Sequence, residues 1–250
     1  MCIRDSATTA PTISDGVFRE YRLAVYMTNE GFRSEQLNQD VSKVKAFWKE
    51  LETFLNIIYV RDLGVRFTIV QDERLIEKSY KGSYAYDAGT KLINAAIGSD
   101  AYDIGIVVNY IEGGALQGLA SPGGVKYHER KGWAIVNSQE MITIGHELGH
   151  LFGADHPFVG GAGLVGRCTE PKSGQSMMSY GYPYKEDFIS LESLRMMQPV
   201  TKASDFKLPT EAKHTSPNNT APRIDRAKMR AEYRVPKGTF FTIPVYATDA

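Results

Sequence analysis

Three of the chain's five histidines lie within eleven residues, in the stretch HELGHLFGADH at positions 146–156. On an α-helix His146 and His150 lie about 40° from eclipsed on one face, where two imidazoles can hold one metal ion. Glu147 lies about 100° round the helix from His146, where its carboxylate can reach a metal-bound water without being a ligand. The stretch therefore predicts a metal site with a general base beside it.

The third histidine, His156, cannot join the other two if the helix continues, because it would lie about 15 Å along the axis from His146. Gly153 is where the chain can turn back, since glycine adopts left-handed backbone angles without Cβ strain and commonly ends helices. Three nitrogen ligands leave one position of a tetrahedral zinc ion open. An open position is typical of a catalytic rather than a structural site.

The pattern H-E-x-x-H-x-x-G-x-x-H at 146–156 resembles the zinc signature of the metzincin metallopeptidases. That family also has a methionine turn downstream, and Met178 in SMMSYG (176–181) aligns with its methionine. The stretches EPKSGQSMMSYG, VRDLGVRFTIV and AYDIGIVV look most like the reprolysin-like (adamalysin-type) metallopeptidases of secreted bacterial multidomain proteins. The resemblance covers residues 18–199 and departs from the reprolysins at Pro157, which follows the third histidine as in serralysins.

The resemblance implies a secreted zinc-dependent endopeptidase with a protein or peptide substrate and a monomeric catalytic domain. One catalytic Zn²⁺ ion would be bound by the neutral imidazoles of His146, His150 and His156. The metal would lower the pKa of its water to about 7, and Glu147 would take the proton and pass it to the leaving amine. Whether calcium also binds stays open.

Further site residues also follow from the resemblance. An edge strand would pair with an extended peptide substrate through Gly118, Leu119 and Ala120. Met178 would form an apolar floor under the metal ligands. Tyr180 would either stabilise the transition state by hydrogen-bonding the tetrahedral intermediate, as in astacins and serralysins, or pack in the wall beside the methionine turn.

Two other classes of function remain beside the peptidase. One is a catalytically inactive metzincin-fold module for binding or adhesion, and the other is a metallohydrolase that acts on something other than peptides. The presence of Glu147 favours an active enzyme, because an inactive relative would usually have lost it.

Three other sequence features favour ordinary structural roles. The pattern GAGLVG (161–166) matches a dinucleotide-binding fingerprint but is not placed between a strand and a helix, so it indicates a loop beside the substrate cleft. The basic run KYHERK (126–131) indicates a solvated loop, with an influence on substrate preference as the alternative. His128 and His214 are expected to be surface histidines.

Composition excludes several partners. The chain has 250 residues and a formal net charge of zero, so charge gives no reason to expect a nucleic acid or an anionic membrane. No run of about 18 apolar residues predicts a membrane span. Two cysteines, Cys2 and Cys168, are too few for a disulfide scaffold.

The elements that must position the site alternate between strands and helices, which predicts an α/β (α+β) fold. The resemblance implies that this fold is of the metzincin type, with a twisted mixed sheet, a long zinc-binding helix and a methionine turn. The expected order is a strand at 21–27, a helix capped by Asp40 and ended by Gly64, a strand from 65, a helix near 87–97, a strand from 103, an edge strand within 113–124, a strand from 132, the zinc-binding helix capped by Ser138, and a helix at 187–198 stopped by Pro199.

The chain is expected to divide into four parts. Residues 1–17 resemble an irregular segment that begins with a short translated scar, and residues 18–199 form the catalytic domain. Residues 200–222 are a linker rich in Pro, Ser, Thr and Asn, and residues 223–250 are the first strands of a truncated β-sandwich-like domain.

Overall fold

The computed structural model describes residues 17–82, 84–111, 116–158, 168–181, 186–202, 212–214, 223–230, 232, 234 and 245–248. The chain divides into two units, Met1–Lys213 and His214–Ala250. The first unit is a mixed α/β fold built on a mixed sheet, as the sequence predicts. Within the described residues no helix has the length and apolar character needed to cross a membrane.

Five strands of the first unit lie side by side in the order β2-β1-β3-β5-β4. Their bounds are β1 (Val17–Met27), β2 (Val65–Ile69), β3 (Ile104–Val108), β4 (Gly118–Ala120) and β5 (Ala134–Val136). All their pairings are parallel except that of β4, which runs antiparallel to β5 at the end of the order. A further short strand, β6 (Ala212–His214), pairs with β1. Strand β4 thus lies at the edge of the strand order, where the sequence predicts the strand within 113–124.

In the part of the chain that the structure describes, five α-helices accompany these strands, namely α1 (Asn29–Arg33), α2 (Val41–Leu63), α3 (Gly89–Ile97), α4 (Met141–Leu151) and α5 (Leu191–Lys202). Helix α2 begins and ends as predicted: the side chain of Asp40 accepts a hydrogen bond from the N–H of Ser42, and Gly64 ends the helix at φ 69°. Apart from the short helix α1, the order of elements matches the expected one.

An aromatic cluster packs α2 and β2 against the end of α4. The ring of Phe67 lies 5.0 Å from that of Tyr59 and 5.9 Å from that of Phe152, centroid to centroid. The buried hydroxyl of Tyr59 donates to the backbone carbonyl of Gly145, at 2.8 Å. Because this hydrogen bond joins two helices far apart in sequence, it fixes the position of α4 on the core.

Helix α4 does not begin where the sequence predicts. Its N-cap is Glu140, and the hydroxyl of Ser138 instead accepts the N–H of Glu140 at 3.1 Å. The intervening Gln139 is buried, donates to the carbonyl of Gly31 at 2.8 Å and accepts from the hydroxyl of Ser34. These long-range bonds hold Gln139 outside the helix and delay its start.

Helix α5 continues past the proline that was expected to stop it. Pro199 lies inside α5, which runs to Lys202. A proline so close to the end of a helix removes one N–H from the last turns, and its ring is exposed here. The next residue, Val200, is buried, so the extended helix covers more of the core.

The basic run 126–131 is only partly solvated, which corrects the prediction of a solvated loop. His128 is exposed, as expected, but Lys131 is buried. Its Nζ donates to the carbonyls of Ser99 and Tyr102 and lies 3.9 Å from the centre of the Tyr102 ring. Burial lowers the pKa of Lys131. The residue joins the β3 region to the approach to β5.

The second unit contains a two-stranded antiparallel sheet of β7 (Arg223–Ile224) and β8 (Ala247–Thr248). Asp225 follows β7, and its side chain accepts the N–H of Ala227 in a short 3₁₀ turn. Residues 1–16 of the predicted irregular segment 1–17, with its short scar, and the stretch GAGLVG at 161–166 lie outside the described residues. The division at 200–222 into linker and β-sandwich-like domain stays a prediction.

Candidate metal centre and active site

The three predicted histidine ligands lie together in the structure. His146 and His150 project from successive turns of α4, and His156 comes from the segment after the helix. The Nε2 atoms of His146 and His150 are 3.1 Å apart, and the Nε2 atom of His156 lies 3.1 Å from the first and 3.2 Å from the second. Among the described residues these are the group of His, Cys, Asp or Glu side chains able to hold one metal ion.

The ring hydrogen bonds determine which nitrogen of each helical histidine is free to bind a metal. Nδ1 of His146 lies 2.7 Å from the carbonyl oxygen of Met177, and Nδ1 of His150 lies 2.8 Å from that of Ala154. A carbonyl only accepts, so each Nδ1 donates its proton, and in the neutral ring Nε2 carries a lone pair. Both lone pairs therefore belong to the nitrogens that converge, the arrangement found in metal-binding histidines.

The spacing of these nitrogens fits zinc. Zn–N bonds of about 2.0–2.1 Å with tetrahedral angles place neighbouring nitrogens about 3.3 Å apart. The observed separations of 3.1–3.2 Å are close to that value. Among the described residues the group holds three imidazoles and no further His, Cys, Asp or Glu, which leaves one tetrahedral position for water or substrate.

The return of His156 depends on the turn at the end of α4. Gly153 has φ 95°, in the left-handed region that favours glycine, as the sequence predicts. The N–H of Gly153 donates to the carbonyl of His150, and the N–H of Ala154 donates to that of Gly149, so the turn satisfies two terminal carbonyls of the helix. The same turn presents the Ala154 carbonyl that holds the ring of His150.

The methionine turn lies against the backbone of the metal-binding helix. Met178 is fully buried, and a Cβ added to Gly149 would overlap its sulfur. The glycine between the two helical histidines therefore gives Met178 the space to lie close to the helix. A Cβ at Gly145 would lie 2.9 Å from the sulfur of Met177, so the neighbouring methionine packs one turn earlier. The role of Met178 as an apolar floor under the ligands stays a prediction.

Glu170 braces this turn from outside. Its Oε2 atom accepts the N–H groups of Gln175 at 2.6 Å and Ser176 at 3.0 Å, and the hydroxyl of Ser179 at 3.0 Å. Gly174 has φ 68°, and a Cβ there would lie 2.6 Å from that same carboxylate oxygen. Partial burial raises the pKa of Glu170, but hydrogen bonds from Ser176, Gln175 and Ser179 outweigh it and lower the pKa below its ordinary value.

Glu147 lies between α4 and the edge strand. Its side chain is only 5% exposed, and a Cβ added to Gly118 would lie 2.5 Å from Oε1 of Glu147. The predicted general base and the first residue of the predicted substrate strand are therefore in close contact. Leu119, the next residue of β4, is exposed, and Ala120 is half-buried.

Tyr180 lies at the rim of the same site. Its ring centroid is 4.9 Å from that of His156, 6.4 Å from that of His146 and 4.8 Å from that of Phe158. The side chain is 56% exposed. The ring thus lies edge-on beside His156 while much of its surface faces solvent.

Several residues that shape the site were not predicted from the sequence. Two of them, Met177 and Ala154, act through backbone carbonyls, which no side-chain pattern reveals. Gly149 carried a signal, because glycine in the middle of a helix is unfavourable by about 1 kcal/mol and needs a reason such as close packing. No sequence pattern indicated the role of Glu170, because its hydrogen-bond partners lie five to nine residues further along an irregular loop.

Among the solved structures similar to this chain are two with a TM-score of 0.48 each. One is described as a chaperone–substrate complex, with 15% identity over 69% of this chain and 29% of that chain. The other is mature mirolysin of Tannerella forsythia in complex with a cleaved peptide, with 12% identity over 75% of this chain and 93% of that chain. The chain thus spans less than a third of the first. No curated protein sequence matches significantly.

Comparison with protein families gives one match, over residues 45–157, to the family described as metallo-peptidase family M12B, reprolysin-like. The matched segment runs from α2 to the residue after the third histidine, and so includes the edge strand, the metal-binding helix and Glu147. This match confirms the resemblance stated from the histidine stretch: residues 45–157 of this chain are similar to the reprolysin-like metallopeptidases of family M12B.

Proposed function

We propose that this chain is a secreted, zinc-dependent endopeptidase that hydrolyses peptide bonds with Glu147 as general base. The observation that carries the proposal is the convergence of three imidazole Nε2 atoms, 3.1–3.2 Å apart, on the helix and turn that also carry this buried carboxylate. The family match over the same segment supports a peptide as substrate. Secretion rests on the resemblance to secreted relatives.

Bound zinc supplies a Lewis acid that lowers the pKa of a ligated water to about 7 and polarises the scissile carbonyl. The chain's own residues orient the metal ligands and transfer the proton. His146 and His150 keep their Nδ1 protons on backbone carbonyls, which fixes the ring orientation and leaves Nε2 as ligand. Glu147 accepts the proton that the attacking water loses and then donates it to the leaving amine nitrogen, so that the carboxylate is regenerated.

The edge strand β4 is the proposed substrate platform. It is last in the strand order and pairs antiparallel with β5, through Gly118↔Val136 and Ala120↔Ala134. An extended peptide can add to such an edge as one more strand, with main-chain hydrogen bonds that do not depend on its side chains. Because Gly118 contacts Glu147, a peptide on this edge passes directly beside the general base. An open edge admits a chain in its middle, which favours endopeptidase over exopeptidase cleavage.

The test is cleavage of casein and of an internally quenched peptide by the purified zinc-loaded protein, with and without a zinc chelator. Three proteins are compared: wild type, Glu147→Gln, and the control Glu140→Gln, which removes an exposed carboxylate from the N-cap of the same helix. Zinc content is measured in each.

We expect Glu147→Gln to keep one zinc per chain and to lose at least about 10²-fold in kcat, the lower end for loss of a general base. Glu140→Gln should cleave like wild type. Zinc binding without any cleavage by wild type would favour the inactive binding module or a hydrolase of other substrates. Near-normal turnover by Glu147→Gln would reject Glu147 as the base.

A further inference from the structure

Gly118 and the side chain of Glu147 lie too close together for position 118 to carry a side chain. A Cβ on Gly118 would lie 2.5 Å from Oε1, 2.6 Å from Cγ and 2.7 Å from Cδ of Glu147. Favourable separations between carbon atoms are about 3.5–4.0 Å. The volume that a Cβ would take at this point of the strand is therefore already occupied by the carboxylate arm of Glu147.

Neither the Glu147 side chain nor the strand at Gly118 can easily move to relieve this clash. The clash would involve the Cγ atom as well as the carboxylate, so a small rotation of the carboxylate alone does not remove it. Glu147 is buried, which limits the other rotamers open to it. The strand is held from the other side by its pairing with β5, where Gly118 lies opposite Val136 and the N–H of Asn137 donates to the carbonyl of Gln117 at 2.7 Å.

We propose that Gly118 is a positioning residue for catalysis: its missing side chain is the slot in which the edge strand holds the carboxylate of Glu147 at the metal centre. The inference rests on the proposed function and goes beyond it, since it gives the edge strand a second task besides binding the substrate backbone. Glycine is required at this position by packing rather than by backbone angle, because φ of Gly118 is not in the left-handed region.

The physical consequence is a specific loss of rate. With alanine at 118 the carboxylate must move away from its slot by about the overlap, on the order of 1 Å, and a misplacement of that size can cost about 10²-fold in rate. The three atoms nearest to the new Cβ all belong to Glu147 and none to a histidine, so zinc should remain bound. The loss should therefore fall on kcat and leave KM and zinc content little changed.

The first experiment is a double-mutant cycle read as thermal stability, which requires no activity. Gly118→Ala is made in the wild-type chain and in Glu147→Ala, which removes the three atoms nearest to that Cβ. The matched control is Gly124→Ala, whose Cβ would lie 2.9 Å from Leu151 of the same helix and 3.1 Å from the carbonyl of Arg130, but not near Glu147.

We expect Gly118→Ala to lower the melting temperature of the full chain by about 5 °C in the presence of Glu147 and by no more than about 1 °C in its absence. Gly124→Ala should lower it by the same amount in both backgrounds. If Gly118→Ala does not fold at all, the double variant with Glu147→Ala should fold. An equal loss in both backgrounds, or failure of both variants to fold, would overturn the proposal.

The second experiment measures steady-state peptide cleavage and zinc content of Gly118→Ala. We expect one zinc per chain, kcat lower by about 10²-fold and KM within about threefold of wild type. Wild-type kcat in Gly118→Ala, or loss of zinc as the cause of inactivity, would reject the positioning role. If wild type itself cleaves no peptide, the proposed function fails, and the stability cycle still decides whether Gly118 provides the slot for Glu147.

Discussion

Substitution of Glu170 should weaken the metal site from a distance. The carboxylate holds two main-chain N–H groups and one buried hydroxyl in the loop that ends in the methionine turn. That turn supplies the Met177 carbonyl that fixes the ring of His146. Glu170→Ala removes all three hydrogen bonds and leaves the donors of Ser176 and Ser179, both fully buried residues, to find new partners.

The expected loss of folding stability in Glu170→Ala follows from the three hydrogen bonds and from the exposure of the accepting carboxylate. A hydrogen bond to a charged group contributes about 1.5–3 kcal/mol, but Glu170 is half-exposed, and water replaces part of what is lost. We expect a total loss of about 2–3 kcal/mol, which is a fall in melting temperature of about 5–10 °C for a chain of this size. Loss of the support behind His146 should weaken zinc affinity about 10-fold or more.

The assay is thermal unfolding and zinc titration of Glu170→Ala, Glu170→Gln and the control Glu186→Ala, which changes an exposed carboxylate near the same turn. Glu170→Gln should lose less than Glu170→Ala, because one oxygen can still accept. Glu186→Ala should stay within about 0.5 kcal/mol of wild type. A Glu170→Ala protein that melts within 1 °C or so of wild type and binds zinc equally would show that this brace is not needed.

The same carboxylate gives a pH dependence with a defined sign. The folded-state pKa of Glu170 lies below its ordinary value of 4.5, because hydrogen bonds to the charged form outweigh desolvation. Its contribution to stability is therefore fully present above pH 4.5 and is lost as the pH falls from there through the lowered pKa. The stability difference between wild type and Glu170→Ala should be constant near neutral pH and shrink in that acidic window. A difference that grows as the pH falls would contradict the assignment.

Three further predictions concern the turn, the rim and the boundary. Gly153→Ala should cost more than about 1 kcal/mol and weaken zinc binding, because φ is 95° and the new Cβ would lie 2.7 Å from Val200; equal melting temperature and zinc affinity would reject this. Tyr180→Phe should lower kcat by about 10²-fold with little change in KM if the hydroxyl acts on the transition state, and an unchanged kcat would leave the ring beside His156 as packing. A chain that ends at Lys213, the last residue of the first unit, should fold and keep its zinc and its activity; an insoluble product would show that the rest of the chain is needed.

Local spacing was enough to predict the centre of the site. The four-residue step between His146 and His150 fixes both side chains on one helix face, whatever surrounds the helix. Gly153 has the positive φ expected of the turn that returns His156. Asp40 and Gly64 bound helix α2 as predicted, because capping depends on residues within one turn of the helix end.

Features that depend on distant parts of the chain were decided only by the tertiary structure. Ser138 does not cap α4, because Gln139 forms hydrogen bonds to residues more than a hundred positions away. Lys131 is buried because the carbonyls of Ser99 and Tyr102 receive its ammonium group. No periodicity in a sequence encodes such partners, since they are brought together only when the sheet forms.

The same division runs through the active site itself. The sequence predicts which residues could bind a metal and which could move a proton, because those roles follow from side-chain chemistry and helical spacing. The tertiary structure determined how they are held: a carbonyl of Met177, 31 residues away, orients His146, and the bare backbone of Gly118 gives Glu147 its place. A glycine that faces a distant side chain looks like any other turn glycine in sequence, because the requirement lies in the space beside it and not in its own backbone angles.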